Sequence, residues 1–237
     1  MPAPSYNPVV DLSLRLAALK ERITAACARA GREPDSVTLV AVTKTHPAET
    51  VTAAIRAGIT DIGENRIQEA AAKKPLVNLT CRWHLVGSLQ TNKVKKALEL
   101  FDAIQSLDSL RLAEEIERRA AQMARVVPVL IEVNTSGEAS KHGVQTADLA
   151  PLCAAVLRLP HLRLEGLMTI GPGLAIEDPE ASRPCFRLLA RLAEETRQKL
   201  SIPLPRLSMG MTSDFEVGIE EGATIIRVGT ALFGPRA

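Results

Sequence analysis

Val37-Thr-Leu-Val-Ala-Val-Thr43 is a run without a charge, rich in β-branched and apolar residues, and Lys44 follows it at once. An apolar run this continuous reads as a strand covered on both faces, as in a parallel sheet. The pattern recurs in Thr60-Asp-Ile-Gly63, Arg82-Trp-His-Leu-Val-Gly87, Phe101-Asp-Ala-Ile-Gln105 and Val127-Pro-Val-Leu-Ile-Glu-Val133. Leu162-Arg-Leu-Glu-Gly-Leu-Met-Thr-Ile170, Arg206-Leu-Ser-Met-Gly210 and Thr224-Ile-Ile-Arg-Val-Gly229 complete the set. Helical spacing fills the intervals. Between Asp108 and Met123, the residues Leu112, Ile116, Ala120 and Met123 form one stripe. Asp178-Pro179-Glu180 reads as a helix start ahead of Phe186, Leu189, Ala193 and Leu200. Pro47 and Glu49 open a helix through Val51, Ala54 and Ile55, and Gly58 closes it. Strands alternating with helices in a chain near the roughly 250 residues typical of the fold predict an α/β protein, a single (β/α)8 TIM barrel. An extra N-terminal helix from about Val9 to Ala30 precedes the first strand. An open doubly wound sheet is the alternative. Residues 1–237 read as one domain, with 1–8 as a flexible tail.

The composition narrows the class. Of 237 residues, 46% are hydrophobic and 24% charged, the balance of a globular protein rather than a disordered one. A net charge of +2 gives no general electrostatic reason to expect nucleic acid or anionic lipid as a partner. Four Phe, one Trp and one Tyr are too few for single-strand stacking platforms. No apolar run reaches the roughly 18 residues of a membrane helix, and Met1 to Pro8 lacks the features of a secretion signal. Cys27, Cys81, Cys153 and Cys185 are widely spaced without a CxxC pair, so they read as buried thiols in a reducing cytoplasm. His46, His142 and His161 show no metal-ligand spacing.

A barrel of this kind carries its chemistry where strand ends meet helix starts. Lys44 sits at such an end, and partial desolvation favours its neutral, nucleophilic amine. The plainer reading is a lysine that snorkels to the surface or pairs with Glu64. Arg227 interrupts the last apolar run, which places its guanidinium at the mouth of the barrel or inside it, in need of acceptors. Gly229 and Thr230 open the final turn, and Ser208, Gly210 and Thr212 end the seventh run. Loops after the last two strands form the usual phosphate cup of such barrels. An amine, a guanidinium and a phosphate cup suggest pyridoxal 5'-phosphate (PLP) in a Schiff base with Lys44, its phosphate on the last two loops and its pyridine nitrogen facing Arg227. On these residues alone, a class I-type aldolase remains open.

Leu39-Val-Ala-Val-Thr-Lys44, Gly63-Glu-Asn-Arg-Ile-Gln-Glu69 and Trp83-His-Leu-Val-Gly-Ser-Leu-Gln-Thr-Asn-Lys93 resemble motifs of the pyridoxal phosphate homeostasis protein family, the YggS/PROSC-type PLP-binding proteins. Val133-Asn-Thr-Ser-Gly-Glu-Ala-Ser-Lys-His-Gly143, Gly166-Leu-Met-Thr-Ile170, Leu207-Ser-Met-Gly-Met211 and Arg227-Val-Gly-Thr-Ala-Leu-Phe-Gly234 do so too, in order. The resemblance implies a barrel similar to the N-terminal domain of alanine racemase, PLP on Lys44, and Asn65 close to it. It also implies Arg227 near the ring nitrogen, phosphate on Gly229, Thr230 and the Ser208 loop, and a role in vitamin B6 homeostasis. Thr212-Ser213-Asp214 departs from the family's common Ser-Asp-Asp, which leaves the donors of that loop, Thr212 among them, open. Ser88 stands where the family commonly has proline.

PLP is the better electron sink when its ring nitrogen is protonated, and arginine leaves that nitrogen unprotonated. Racemisation also needs an acid or base on each face of the substrate carbon. The single tyrosine, Tyr6, lies in the N-terminal tail, and His84 reads as a satisfied core histidine. The expected function is therefore storage, buffering or delivery of PLP, with apo-PLP enzymes as recipients and a monomeric state. A weak amino-acid racemase is the alternative, and a regulatory module that reports PLP state is a third reading. Lys141 is read as an exposed loop charge rather than a second PLP-contacting lysine. Lys93, Lys95 and Lys96 are read as a solvated helical face.

Overall fold

The computed structural model describes residues 8–138 and 141–234; Tyr6 and the expected tail up to residue 7 lie outside them. The eight strands are β1 (Thr38–Val42), β2 (Asp61–Glu64), β3 (Arg82–Leu85), β4 (Ala103–Leu107), β5 (Val127–Glu132), β6 (Leu162–Met168), β7 (Arg206–Ser208) and β8 (Ile225–Val228). They pair in sequence order, and β8 closes onto β1 through Leu39↔Ile226 and Val40↔Arg227, all parallel. The barrel is the expected one, and the open sheet is excluded.

Helix α1 (Pro8–Arg29) precedes the barrel, and α2 (Ala48–Arg56), α3 (Ile67–Lys73), α4 (Val94–Leu100) and α5 (Leu110–Gln122) cover the first half of the sheet. Helices α6 (Leu149–Val156), α7 (Arg183–Leu200), α8 (Phe215–Glu220) and α9 (Thr230–Phe233) cover the rest. Ser109 caps α5 by accepting from the Leu112 N–H. Leu112, Ile116 and Ala120 are buried on its stripe, whereas Met123 lies beyond the last turn and is exposed. Asp178 accepts from the Glu180 N–H and starts a single 3-10 turn, Pro179–Ser182, and α7 follows it.

The short α9 gives β8 little cover, and α1 makes up the deficit. It packs on α8 and α9 with Leu12, Leu16, Leu19 and Ile23 buried. Arg22 and Arg29 pair with Glu216 and Glu220 of α8 at 2.7 Å each. One continuous apolar core fills the shell between sheet and helices, with Phe101, Phe186, Ile116 and Leu149 fully buried in it.

Directly paired residues of neighbouring parallel strands face the same side of the sheet. The pairs Val40↔Asp61, Val40↔Arg227, Gly63↔His84 and Met168↔Ser208 therefore define the lumen face. Val40, Leu130, Met168 and Ile225 form a small apolar cluster there, separate from the shell. Asp61, His84, Gln105, Ser208 and Arg227 add polar groups to the same face.

Candidate functional site

Lys44 stands two residues beyond β1, half-buried on the carboxyl rim. Its turn is clamped from the shell side. Thr43 Oγ1 donates to Glu64 Oε1 at 2.5 Å. Lys73 Nζ of α3 donates at 2.7 Å to both Glu64 Oε1 and the Thr43 carbonyl. Thr45 has φ 68, a left-handed conformation costly for a β-branched residue. Its N–H donates to Glu69 Oε2 at 2.8 Å, which holds that conformation. Glu64, offered above as a partner for Lys44, thus serves Lys73 and Thr43. Burial pushes its carboxyl up, against the pull of Lys73 and Thr43, and its Oε2 is buried without a hydrogen-bond partner among the described residues.

Asn65 follows β2 on the same rim, half-buried. A side chain at Gly87 would meet the Asn65 carbonyl oxygen at 2.3 Å, so glycine there lets the two loops close up. On the other side of β1 from β2, Gly229 lies against the Val42 carbonyl, 3.1 Å from where its own Cβ would stand. The His46 ring contacts the Phe233 ring at 5.2 Å between centroids, tying the Lys44 loop to α9. Thr212 Oγ1 accepts from the Ala231 N–H at 3.3 Å, which joins the seventh loop to the eighth. Thr230 is exposed at the start of α9.

Arg227 is buried in the lumen. It donates to Ser208 Oγ at 2.6 Å and to the Thr169 carbonyl at 2.7 Å. Burial lowers the guanidinium to about 10, against the raising pull of Glu132 and Asp214, which leaves it charged at neutral pH. Ser208 is fully buried beneath the rim, and its one proton goes to Gln105 Oε1 at 2.6 Å. The structure thus brings Lys44, Asn65, Thr212, Gly229 and Thr230 to one rim with Arg227 below them, and seats the Ser208 hydroxyl a layer deeper, on Arg227.

The sequence reading did not single out several of these groups. Lys73 and Glu69 hold the Lys44 turn. Glu132 is buried beside Arg227, and burial pushes its carboxyl up against the lowering effect of Arg227 and His142. Both Asp214 oxygens are engaged, one by Ser182 Oγ at 2.5 Å and one by the Met211 N–H at 2.7 Å. The usable signal for Glu132 was a carboxylate inside an apolar run, the same signal that exposed Arg227. Lys141 is half-buried and donates to the Gly171 carbonyl at 3.0 Å, beside a pocket of about 140 Å³ that includes Glu132, Asn134 and Thr169. Lys93, Lys95 and Lys96 are exposed. No cluster of metal-ligating side chains occurs among the described residues, and no helix among them is long and apolar enough to cross a membrane.

Residues 14–237 match the family described as alanine racemase, N-terminal domain. A relative from Aquifex aeolicus, named pyridoxal phosphate homeostasis protein, is 47% identical over 94% of this chain and 97% of its own. The chain belongs to the pyridoxal phosphate homeostasis protein family. A member of the same name from Pseudomonas aeruginosa is 42% identical over 93% of this chain and 94% of its own. Among solved structures, PipY of Synechococcus elongatus PCC7942 with PLP bound superposes with a TM-score of 0.83 at 38% identity, covering 94% of this chain and all of PipY. Alanine racemase from Clostridium difficile 630 superposes with a TM-score of 0.75 at 13% identity, over 95% of this chain and 56% of that one, which shows a shared barrel and no more.

Proposed function

We propose that this protein binds PLP at the carboxyl rim as a Schiff base on Lys44 and stores, buffers or delivers it, without efficient catalysis. The observation that carries the reading is the charged Arg227 guanidinium, fixed in the lumen by Ser208 and Thr169. The donor set fits the cofactor: an amine on one wall, a guanidinium below, and the backbone of two loops joined through Thr212 and Ala231. When bound, PLP supplies an aldehyde for an amine and a ring that withdraws electrons.

The chain's own residues do the rest. The clamp of Lys73, Glu64 and Glu69 holds the strained turn that presents the Lys44 amine. Arg227 has five N–H donors and no acceptor; with two on Ser208 and Thr169, others remain to face a ring nitrogen from below. It keeps its proton, so that nitrogen stays a lone-pair acceptor and substrate carbanions gain little stabilisation. The loops at Gly210–Thr212 and Gly229–Thr230 supply backbone N–H groups for the phosphate, and Asn65 flanks the ring. In this reading the protein acts as a cytoplasmic monomer and serves apo-PLP enzymes.

The absorption spectrum of protein loaded with PLP tests the site, followed by borohydride reduction and peptide mapping. The expected result is a reduced adduct on Lys44 that disappears in Lys44→Ala. An adduct on another lysine, or none, overturns it. Chiral analysis after long incubation with L-alanine tests the racemase alternative, and D-alanine formed at catalytic protein levels would replace the carrier reading.

A further inference from the structure

A chain of hydrogen bonds crosses the lumen. Arg227 donates to Ser208 Oγ at 2.6 Å, and Ser208 Oγ donates to Gln105 Oε1 at 2.6 Å. Gln105 Nε2 lies 3.0 Å from His84 Nδ1, and His84 Nε2 lies 2.8 Å from Asp61 Oδ1. The two ends fix the direction of every link. A guanidinium only donates, so the Ser208 oxygen accepts there and its single proton must go to Gln105. Gln105 then presents its carbonyl to Ser208 and its amide N–H to His84. His84 Nδ1 must therefore be a lone pair, which puts the imidazole proton on Nε2, facing Asp61. Burial raises the Asp61 carboxyl, but the hydrogen bonds from His84 and Thr60 outweigh it and hold that carboxyl below its ordinary range, as an acceptor-only terminus requires.

The far end of the chain is open. A pocket of about 300 Å³ at the amino-terminal mouth of the barrel is lined by Asp61, Arg82, His84, Gln105, Glu165 and Arg206 among others. His84 itself is buried, and Asp61 is the group of the chain that reaches water there. These charged groups come from β2, β3, β6 and β7, while Glu132 and Asp214 face Arg227 at the other end.

We propose that His84 and Gln105 are positioning residues for Arg227, and that protonation of His84, reached from the amino-terminal mouth, resets the arginine that faces the ligand at the carboxyl rim. This rests on the function proposed above. A second proton on the imidazole must sit on Nδ1, where it meets the Gln105 amide N–H. Gln105 then has to turn over and donate to Ser208 Oγ. That oxygen would hold two donors, Arg227 and Gln105, and its own proton would lose its acceptor. The oxygen has a lone pair for each donor, so the cost falls on its stranded buried proton, and turning the hydroxyl towards another acceptor moves its lone pair off Arg227. The coupling is reciprocal: a ligand that fixes Arg227 makes His84 harder to protonate.

Nitrogen-15 NMR of the ligand-free protein tests the chain without PLP. The expected result is neutral His84 protonated on Nε2, with Arg227 N–H resonances that move as His84 takes up its second proton. Gln105→Leu abolishes that response, and Glu132→Gln retains it, which separates His84 from the carboxylate beside Arg227. Gln105→Glu keeps the size and the acceptor for Ser208 but offers His84 an oxygen in place of the N–H, so a proton on Nδ1 gains an acceptor and the neutral-ring tautomer is no longer fixed. A proton on Nδ1 of the neutral ring, or Arg227 resonances that ignore His84, overturns the proposal. So does the same Arg227 response in Gln105→Leu. A second arm measures PLP affinity against pH. The parent changes by about fivefold or more across His84 protonation, and Gln105→Leu does not; a flat parent profile overturns the coupling. Failure of the parent to bind PLP would remove the proposed function, while the ligand-free spectra still decide whether the chain exists.

Discussion

The barrel has two interiors, and they are built on different rules. The shell between sheet and helices is apolar and continuous, and burial there stabilises through area and close packing. The lumen has a small apolar cluster and, beside it, a directed chain of polar groups. Apolar contacts tolerate small adjustments, whereas each lumen group has one partner on either side and one way to satisfy it. The fold rests on the shell, and the geometry offered to a ligand rests on the lumen.

Phe186→Ala strikes the shell alone. Phe186 is fully buried in the shell, and its truncation is expected to cost about 3–5 kcal/mol of stability in urea unfolding. The molecules that remain folded should still bind PLP; loss of binding per folded molecule would mean that the two interiors are not separable. Next comes Lys73→Met, beneath the rim. It leaves Glu64 buried without its cation and is expected to cost about 3 kcal/mol at neutral pH. Burial already raises the Glu64 carboxyl, so its ionised form opposes folding. That penalty is absent below the ordinary carboxylate range and grows as pH rises through the raised value. The deficit of the variant should therefore shrink on acidification, and thermal melts from pH 4 to 8 relative to the parent, roughly the carboxylate-to-neutral range, would show it.

Ser208→Ala sharpens the lumen side. It removes the acceptor of one Arg227 N–H and the donor to Gln105 Oε1, for an expected loss of about 1–3 kcal/mol. Unlike Phe186→Ala, it should alter the absorption band of bound PLP in the molecules that stay folded. The smallest effect is expected on the outer face. Arg118 and Arg119 hold the Glu115 carboxyl down at about 2. Its contribution is full above the ordinary carboxylate value and is lost as pH falls through about 2. Because the group is solvated, Glu115→Gln should cost about 0.5 kcal/mol or less at neutral pH, and less in high salt.

The shell was legible because its signal is local. Apolar runs marked every strand, and the 3.6-residue stripe of α5 identified its buried face. β4 is displaced by two residues from the run Phe101–Gln105, because Phe101 ends α4 and packs into the shell. Asp102 meanwhile accepts from the Trp83 N–H. Met123 continued a helical period past the point where the helix stops. In the lumen, Lys44 and Arg227 stood out as charges beside or within apolar runs. Asn65 came only from family resemblance. Gln105 and Asp61 look like ordinary surface residues in sequence, and Ser208 was legible as a loop hydroxyl but not as the partner of Arg227 and Gln105. What makes them partners is the closure of the sheet, which brings positions 61, 84, 105, 208 and 227 into one line, and no local pattern encodes that closure.

The first helix completes the wall that the last strand leaves thin. Arg22 and Arg29 reach across almost the whole polypeptide to Glu216 and Glu220. During synthesis, α1 leaves the ribosome long before its docking surface has been translated. Its apolar stripe has no α8 or α9 to dock on until they emerge, so this contact carries one of the longest loop closures in the fold.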